Sequence, residues 1–152
     1  MLDKELMMYS SGIYDLQTTN KGPVNGINRI QLHFEGTLEE AQIRKVDTLI
    51  RQARLQSHHK LLDIGFGWAG VAIRAAQTIG CEVWGITLSK EQMKLGLERA
   101  KASGVSHLVH FEIVDYREFA KRTENRNKFD RIISCEMIEA VGEKYYNSYF
   151  AS

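Results

Sequence analysis

Leu61-Leu62-Asp63-Ile64-Gly65-Phe66-Gly67-Trp68-Ala69-Gly70 runs from an apolar strand, through an aspartate, into a glycine turn that opens a helix. Gly65 and Gly67 accept backbone angles that a side chain forbids. The chain therefore bends sharply and a bulky ligand can lie against bare main chain, with Asp63 where the turn faces it. On its own, Gly65-x-Gly67-x-x-Gly70 also satisfies the dinucleotide fingerprint, a pattern with many false matches. The neighbouring residues decide between ligands.

A nicotinamide or flavin domain carries an acid about 20 positions further on, at the end of the second strand, to hold the ribose hydroxyls. Here that place reads Trp84-Gly85-Ile86-Thr87-Leu88-Ser89, without a carboxylate. Glu82 sits at the wrong end of the strand and Glu91 inside the next helix. An aspartate just ahead of the glycines and a polar Thr-Leu-Ser turn suit S-adenosylmethionine, whose amino-acid part and sulfonium lie over the first turn. The residues thus point to a methyltransferase ahead of a dehydrogenase.

With 152 residues, a formal charge of +1 and 43% hydrophobic residues, the chain reads as one soluble globular domain rather than a nucleic-acid binder. The charge-rich stretch Lys121 to Lys128 is aperiodic and reads as a solvated loop. No apolar run approaches the roughly 18 to 20 residues that span a bilayer, and Met1-Leu2-Asp3-Lys4-Glu5 carries no secretory pattern. Cys81 and Cys135 lack metal-ligand spacing, as do His58, His59, His107 and His110, so no metal site is expected. The thiols read as small strand side chains in a reducing, cytoplasmic setting, and the histidines as surface or strand positions.

Along the chain, residues 1–36 lack sustained periodicity and hold the single proline, Pro23, so Gln17 to Asn28 reads as an irregular surface loop in a segment that covers the cofactor site. Residues 37–152 read as the cofactor domain. Thr37-Leu38-Glu39-Glu40 is a capping box, followed by Leu38, Gln42, Val46, Leu49 and Ala53 on one helical face. Strands are expected at Lys60–Ile64, Glu82–Ile86, His107–Val114 and Phe129–Cys135. Helices are expected at Val71–Ile79, from Ser89 to Ser103, and over Tyr145–Phe150. Alternation of this kind predicts an α/β, Rossmann-like, mostly parallel sheet with right-handed crossovers and spatial order three, two, one, four.

These motifs resemble the cyclopropane-fatty-acyl-phospholipid synthases and the related mycolic acid cyclopropane synthases, a family of S-adenosylmethionine-dependent methyltransferases. The segment Leu2 to Ser11, the helix Leu38 to Asp47 and the glycine turn Leu61 to Gly70 resemble family motifs. So do Thr87 to Gln92, Asp115-Tyr116-Arg117 and Glu136 to Gly142, in the same order. The resemblance implies that Tyr9 and Ser10 close over the cofactor and that Leu61 to Ala69, with Asp63, Gly65, Gly67 and Trp68 among them, line it. Thr87, Leu88 and Gln92 would approach its ribose and methionyl portions, and Asp115 and Tyr116 would frame the adenine. It further implies that Glu139 helps to hold a bicarbonate that acts as base. Ser11 stands for a usual cysteine whose backbone amide serves the same anion. Phe66, Ala69 and Ala140 stand where the family usually has cysteine, glycine and histidine.

Each residue has a plainer reading beside this one. Gln92 completes a second capping box with Ser89, Asp115 starts a turn, Trp68 packs between helix and sheet, Tyr9 is a core aromatic, and Glu139 faces solvent. The resemblance also implies further strands, and a later histidine and tyrosine at the bicarbonate site, so the fold is expected to be incomplete after the fourth strand. That strand, Arg131-Ile132-Ile133-Ser134-Cys135, would then be an apolar sheet edge.

The expected function is methyl or methylene transfer to the double bond of an unsaturated phospholipid at a membrane surface, by a peripheral protein without a transmembrane segment. The alternatives are methylation of a small amine or phenol, and a cofactor-binding module without catalysis.

Overall fold

The computed structural model describes residues 6–24 and 27–151, with 17–34 described by their backbone alone. The readings of Met1–Glu5 and of Asn25–Gly26 lie outside the described residues. Asp15–Val24 (β1) and Ile27–Glu35 (β2) pair antiparallel, with a register shift between Asn20 and Pro23. The irregular loop expected over Gln17 to Asn28 is therefore a hairpin. Pro23 was the misleading signal: proline lacks only its own N–H donor, and a strand tolerates it where the register breaks.

Thr37 caps α1 (Leu38–Gln52) as expected, its hydroxyl accepting from the Glu40 amide while the Glu40 carboxylate accepts from the Thr37 amide at 2.8 Å. The buried face of α1 is Ala41, Gln42, Lys45, Val46 and Ile50. Gln42 and Val46 were expected there, and Leu49 and Ala53 pack at its margin. Lys45 was not, because a stripe chosen on hydrophobicity passes over a cation.

Lys60–Ile64 (β3), Gly70–Ile79 (α2), Glu82–Thr87 (β4), Lys90–Ala102 (α3) and Val109–Ile113 (β5) follow in strict alternation. Tyr116–Lys121 (α4), Arg131–Ile133 (β6), Ile138–Val141 (α5) and Tyr146–Ala151 (α6) complete the described chain. The four strands β5-β4-β3-β6 are parallel and stand in the expected order. In β3, Leu61, Leu62 and Asp63 are all buried, as befits a strand covered on both faces. Leu61, Val83, Val109 and Ile133 join the main core with Val46, Ile50 and Ile73. Alternate residues Leu62 and Ile86 turn to the opposite face, where a smaller core forms around Phe119. On β6, which pairs with β3 alone among the described strands, Ile132 is 57% exposed, the apolar edge that its sequence suggested.

Phe66, the departure inside the glycine turn, is accommodated by two other glycines. Its ring stacks on Phe111 with centroids 4.4 Å apart. A Cβ on Gly85 would stand 2.8 Å from the Phe66 ring and 2.7 Å from Phe111, and one on Gly96 would stand 3.2 Å from Phe66. Two bare Cα atoms, one in β4 and one in α3, thus make the room that a bulky residue needs.

His59 departs from its surface or strand reading. It is buried, and its Nδ1 accepts from the Gln56 amide at 3.2 Å. Along Lys121 to Lys128 the chain runs through a short 3₁₀ turn at Thr123–Asn125 whose residues bury nothing.

Candidate functional site

The site lies at the carboxyl ends of β3, β4 and β5, where open α/β sheets bind ligands. Two adjoining cavities of about 350 and 280 Å³ meet there, sharing Gly65 and Met137. The first is lined by Ile64, Ile86, Thr87, Leu88, Val114, Asp115 and Tyr116, with Ala140, Val141 and Tyr145 closing it. The second is lined by Leu6 to Ser10, Asp63, Phe66, Gly67, Trp68 and Gln92, with Cys135 and Glu136. Of the residues expected to touch the cofactor, all line one or the other except Leu61, Leu62 and Ala69, which are buried in the core. Ser11 and Glu139 line neither: both are exposed, Glu139 on the short helix α5 beside Ala140.

Asp63 is 1% exposed, and its Oδ2 has no hydrogen-bond partner among the described residues. Burial pushes its carboxyl up to about 7, with the Ala72 backbone amide pulling the other way. Gly65 and Gly67 both have left-handed φ angles, +73° and +56°. A Cβ on Gly67 would meet nothing within 4 Å, so the main chain there faces open space. Ala69 is left-handed too, φ +66°, at the position where the sequence resemblance implies a glycine, the residue that suits it.

At the end of β4 the Thr87 hydroxyl donates to Gln92 Oε1 at 2.6 Å and accepts from the Ser89 amide at 3.2 Å. Ser89 caps α3 by accepting from the Gln92 amide. The Ser89 amide is thus held by Thr87, and the Gln92 side chain is turned to the cavity instead of closing a capping box.

Asp115 caps α4, as its plainer reading has it, and also lines the first cavity. Arg117 holds its carboxyl down at about 2 by hydrogen bonds to both oxygens. Tyr9 is 71% exposed and so is no core aromatic. Its hydroxyl accepts from Trp68 Nε1 at 3.1 Å, which joins the N-terminal segment to the glycine turn.

Sequence reasoning missed Met137, whose Sδ lies 3.2 Å from where a Gly65 Cβ would stand, on the wall common to both cavities. Its place inside the motif Glu136 to Gly142 was the available signal. The helix motif Leu38 to Asp47 contains Gln42 and Lys45 but does not foretell that both reach Ser10 from α1.

Residues 6–152 match the family model described as mycolic acid cyclopropane synthetase. The chain belongs to this cyclopropane synthase family. Among relatives, it is 44% identical over 108 residues to a probable fatty acid methyltransferase of Pseudomonas putida, covering 71% of this chain and 26% of that one. It is 38% identical over 114 residues to the cyclopropane-fatty-acyl-phospholipid synthase of Escherichia coli, covering 75% and 27%. The mycolic acid cyclopropane synthase CmaA1, solved in complex with SAH and CTAB, superimposes with a TM-score of 0.67 at 30% identity, over 76% of this chain and 39% of that one. The family fold, a Rossmann-like methyltransferase sheet, is the one described above. The chain spans about a quarter of the length of these two curated relatives.

Proposed function

We propose that the two joined cavities hold S-adenosylmethionine and that the protein to which this chain contributes transfers its methyl group to the double bond of an unsaturated phospholipid acyl chain. The single observation that carries the reading is the pairing, in one cavity, of a buried Asp63 oxygen without a partner among the described residues and an uncovered Gly67 backbone. An ammonium group satisfies that oxygen, and a thioether or sulfonium chain fits against bare main chain. The apolar first cavity, walled by Ile64, Ile86 and Val114 beside Asp115, suits a purine and its amino or ribose donors.

When bound, the cofactor supplies an electrophilic methyl on a positively charged sulfur. The chain's part is then positional. Asp63, Gly65 and Gly67 fix the amino-acid end, Thr87 and Gln92 hold the junction between the cavities, and Trp68 with Tyr9 covers the sulfur side with electron-rich rings. An alkene is a weak nucleophile, so this enclosure and alignment carry most of what the protein contributes. The bicarbonate base, with Glu139 and the Ser11 backbone amide as its holders, is part of the proposal. No helix of the described residues is long and apolar enough to cross a membrane, so a peripheral approach to the lipid fits.

Methylation of a small amine or phenol is the rival reading. Cells making the intact protein, grown with isotopically labelled methionine, should accumulate labelled acyl chains that are cyclopropanated or methyl-branched, as read by mass spectrometry of their phospholipids. Label confined to a small amine or phenol would favour the rival.

A further inference from the structure

Helix α1 turns two polar side chains inward, one helical turn apart: Gln42, 2% exposed, and Lys45, 8% exposed. Both end on Ser10. Gln42 Nε2 donates to the Ser10 carbonyl at 2.5 Å, and Lys45 Nζ donates to Ser10 Oγ. A lysine this deeply buried is uncommon, because desolvating an ammonium is costly unless hydrogen bonds replace its water.

Around Ser10 the N-terminal strap is pressed onto the domain at both ends. A Cβ on Gly12 would stand 2.6 Å from Ala41 Cβ, and the Ile13 amide donates to the Ala41 carbonyl at 2.9 Å. Toward the other end, a Cβ on Gly70 would stand 2.8 Å from the Leu6 carbonyl oxygen. Between these anchors, Leu6 to Ser10 line the second cavity together with Asp63 and Gly67.

An ammonium only donates hydrogen bonds, whereas a serine hydroxyl accepts with its lone pairs and donates one proton. Lys45 therefore fixes Ser10 Oγ as acceptor on the α1 side, which turns the hydroxyl proton away from the helix. Ser10 lines the cavity, and its hydroxyl proton faces the Cys135 sulfur there, a weak acceptor that a carboxylate would displace. We propose that Lys45 is a positioning residue for an α-amino carboxylate. It aims the Ser10 hydroxyl toward the carboxylate of the cofactor's amino-acid end, while Asp63 takes the ammonium. This rests on the reading that S-adenosylmethionine occupies the two cavities, and it assigns the division of charge within the second.

The test compares two ligands by titration calorimetry: S-adenosylhomocysteine, and 5′-methylthioadenosine, which keeps the adenosine and sulfur but lacks the amino carboxylate. Lys45→Met should weaken S-adenosylhomocysteine about tenfold and leave methylthioadenosine unchanged. Ser10→Ala should do the same, and the double variant should be no weaker than either single, because Lys45 acts through Ser10. Unchanged affinity for S-adenosylhomocysteine, equal loss of both ligands, or additive losses would overturn the role of Lys45. If thermal melting shows that Lys45→Met does not fold, Ser10→Ala alone must give the selective loss, and its failure to do so is equally fatal. Binding of neither ligand by the unaltered protein overturns the cofactor reading itself, and this inference with it.

Discussion

The Thr87 hydroxyl meets Gln92 Oε1 at 2.6 Å, and the two residues belong to different cavities, Thr87 to the first and Gln92 to the second. This bond ties the end of β4 to the first turn of α3 where a cofactor's ribose would pass. Gln92→Leu removes the bond without touching the helix cap, which runs from the Gln92 amide to Ser89 Oγ. Calorimetry should show S-adenosylhomocysteine affinity reduced about fivefold, in line with the roughly 1 kcal/mol of a typical hydrogen bond, with the melting temperature little changed. A matching loss of helicity and affinity would instead make Gln92 a structural residue.

The carboxyl of Asp63 sets a pH dependence. In the folded protein it titrates near 7, against an ordinary value of 3.8, because burial disfavours its charge. Between those two values the folded state holds a proton that the unfolded chain has released. Stability of the ligand-free protein should therefore be highest at low pH as far as Asp63 is concerned, fall as pH climbs toward 7, and level off above it. The effect is on the order of a few kcal/mol. Asp63→Asn should remove that slope, as followed by urea midpoints at pH values on either side of 7. A slope that survives the substitution would assign it to other groups.

The same carboxyl should make cofactor binding release a proton below pH 7, since an ammonium beside Asp63 favours its ionised form. Binding enthalpies measured in buffers of different ionisation enthalpy count that proton. Affinity should rise with pH up to about 7 and then flatten. Absence of proton release would place the ammonium elsewhere.

Gly85 is a packing site and not a ligand site. A Cβ there would stand 2.7 Å from Phe111 and 2.8 Å from Phe66, ring carbons of a stack formed by the buried Phe66 and the partly buried Phe111. Gly85→Ala should cost about 1–3 kcal/mol by overpacking, read as a lower denaturant midpoint. The paired change Phe66→Cys, with Gly85→Ala, should recover part of it by making the room that the methyl needs.

Much of this was legible in the residues, for physical reasons that can be named. Strands β3 and β4 and helices α2 and α3 announce themselves through apolar runs and the punctuation of Gly80, Ser89 and Gly104, because they are local consequences of burial and capping. Most of the cofactor candidates line the cavities because the ends of parallel strands converge on one place whatever the details. The hairpin was misread because Gly22 and Pro23 look like a loop, whereas pairing with Ile27–Glu35 is a property of two segments together. Lys45 falls on the same helical stripe as Leu38, Gln42 and Leu49, but what its ammonium meets was hidden for the same reason: its partner, Ser10, is 35 residues away.

Which ligand fills the space over Gly67 is tested most directly by titration calorimetry with S-adenosylhomocysteine and NAD. Saturable, one-to-one binding of S-adenosylhomocysteine is expected, and none of NAD. Gly67→Ala, whose Cβ would project into open cavity from a left-handed backbone at φ +56°, should lose at least tenfold of that affinity, about 1.4 kcal/mol, while the far-ultraviolet circular dichroism stays the same. Saturable NAD binding with no response to S-adenosylhomocysteine, or an unaltered affinity in Gly67→Ala, would contradict the cofactor reading.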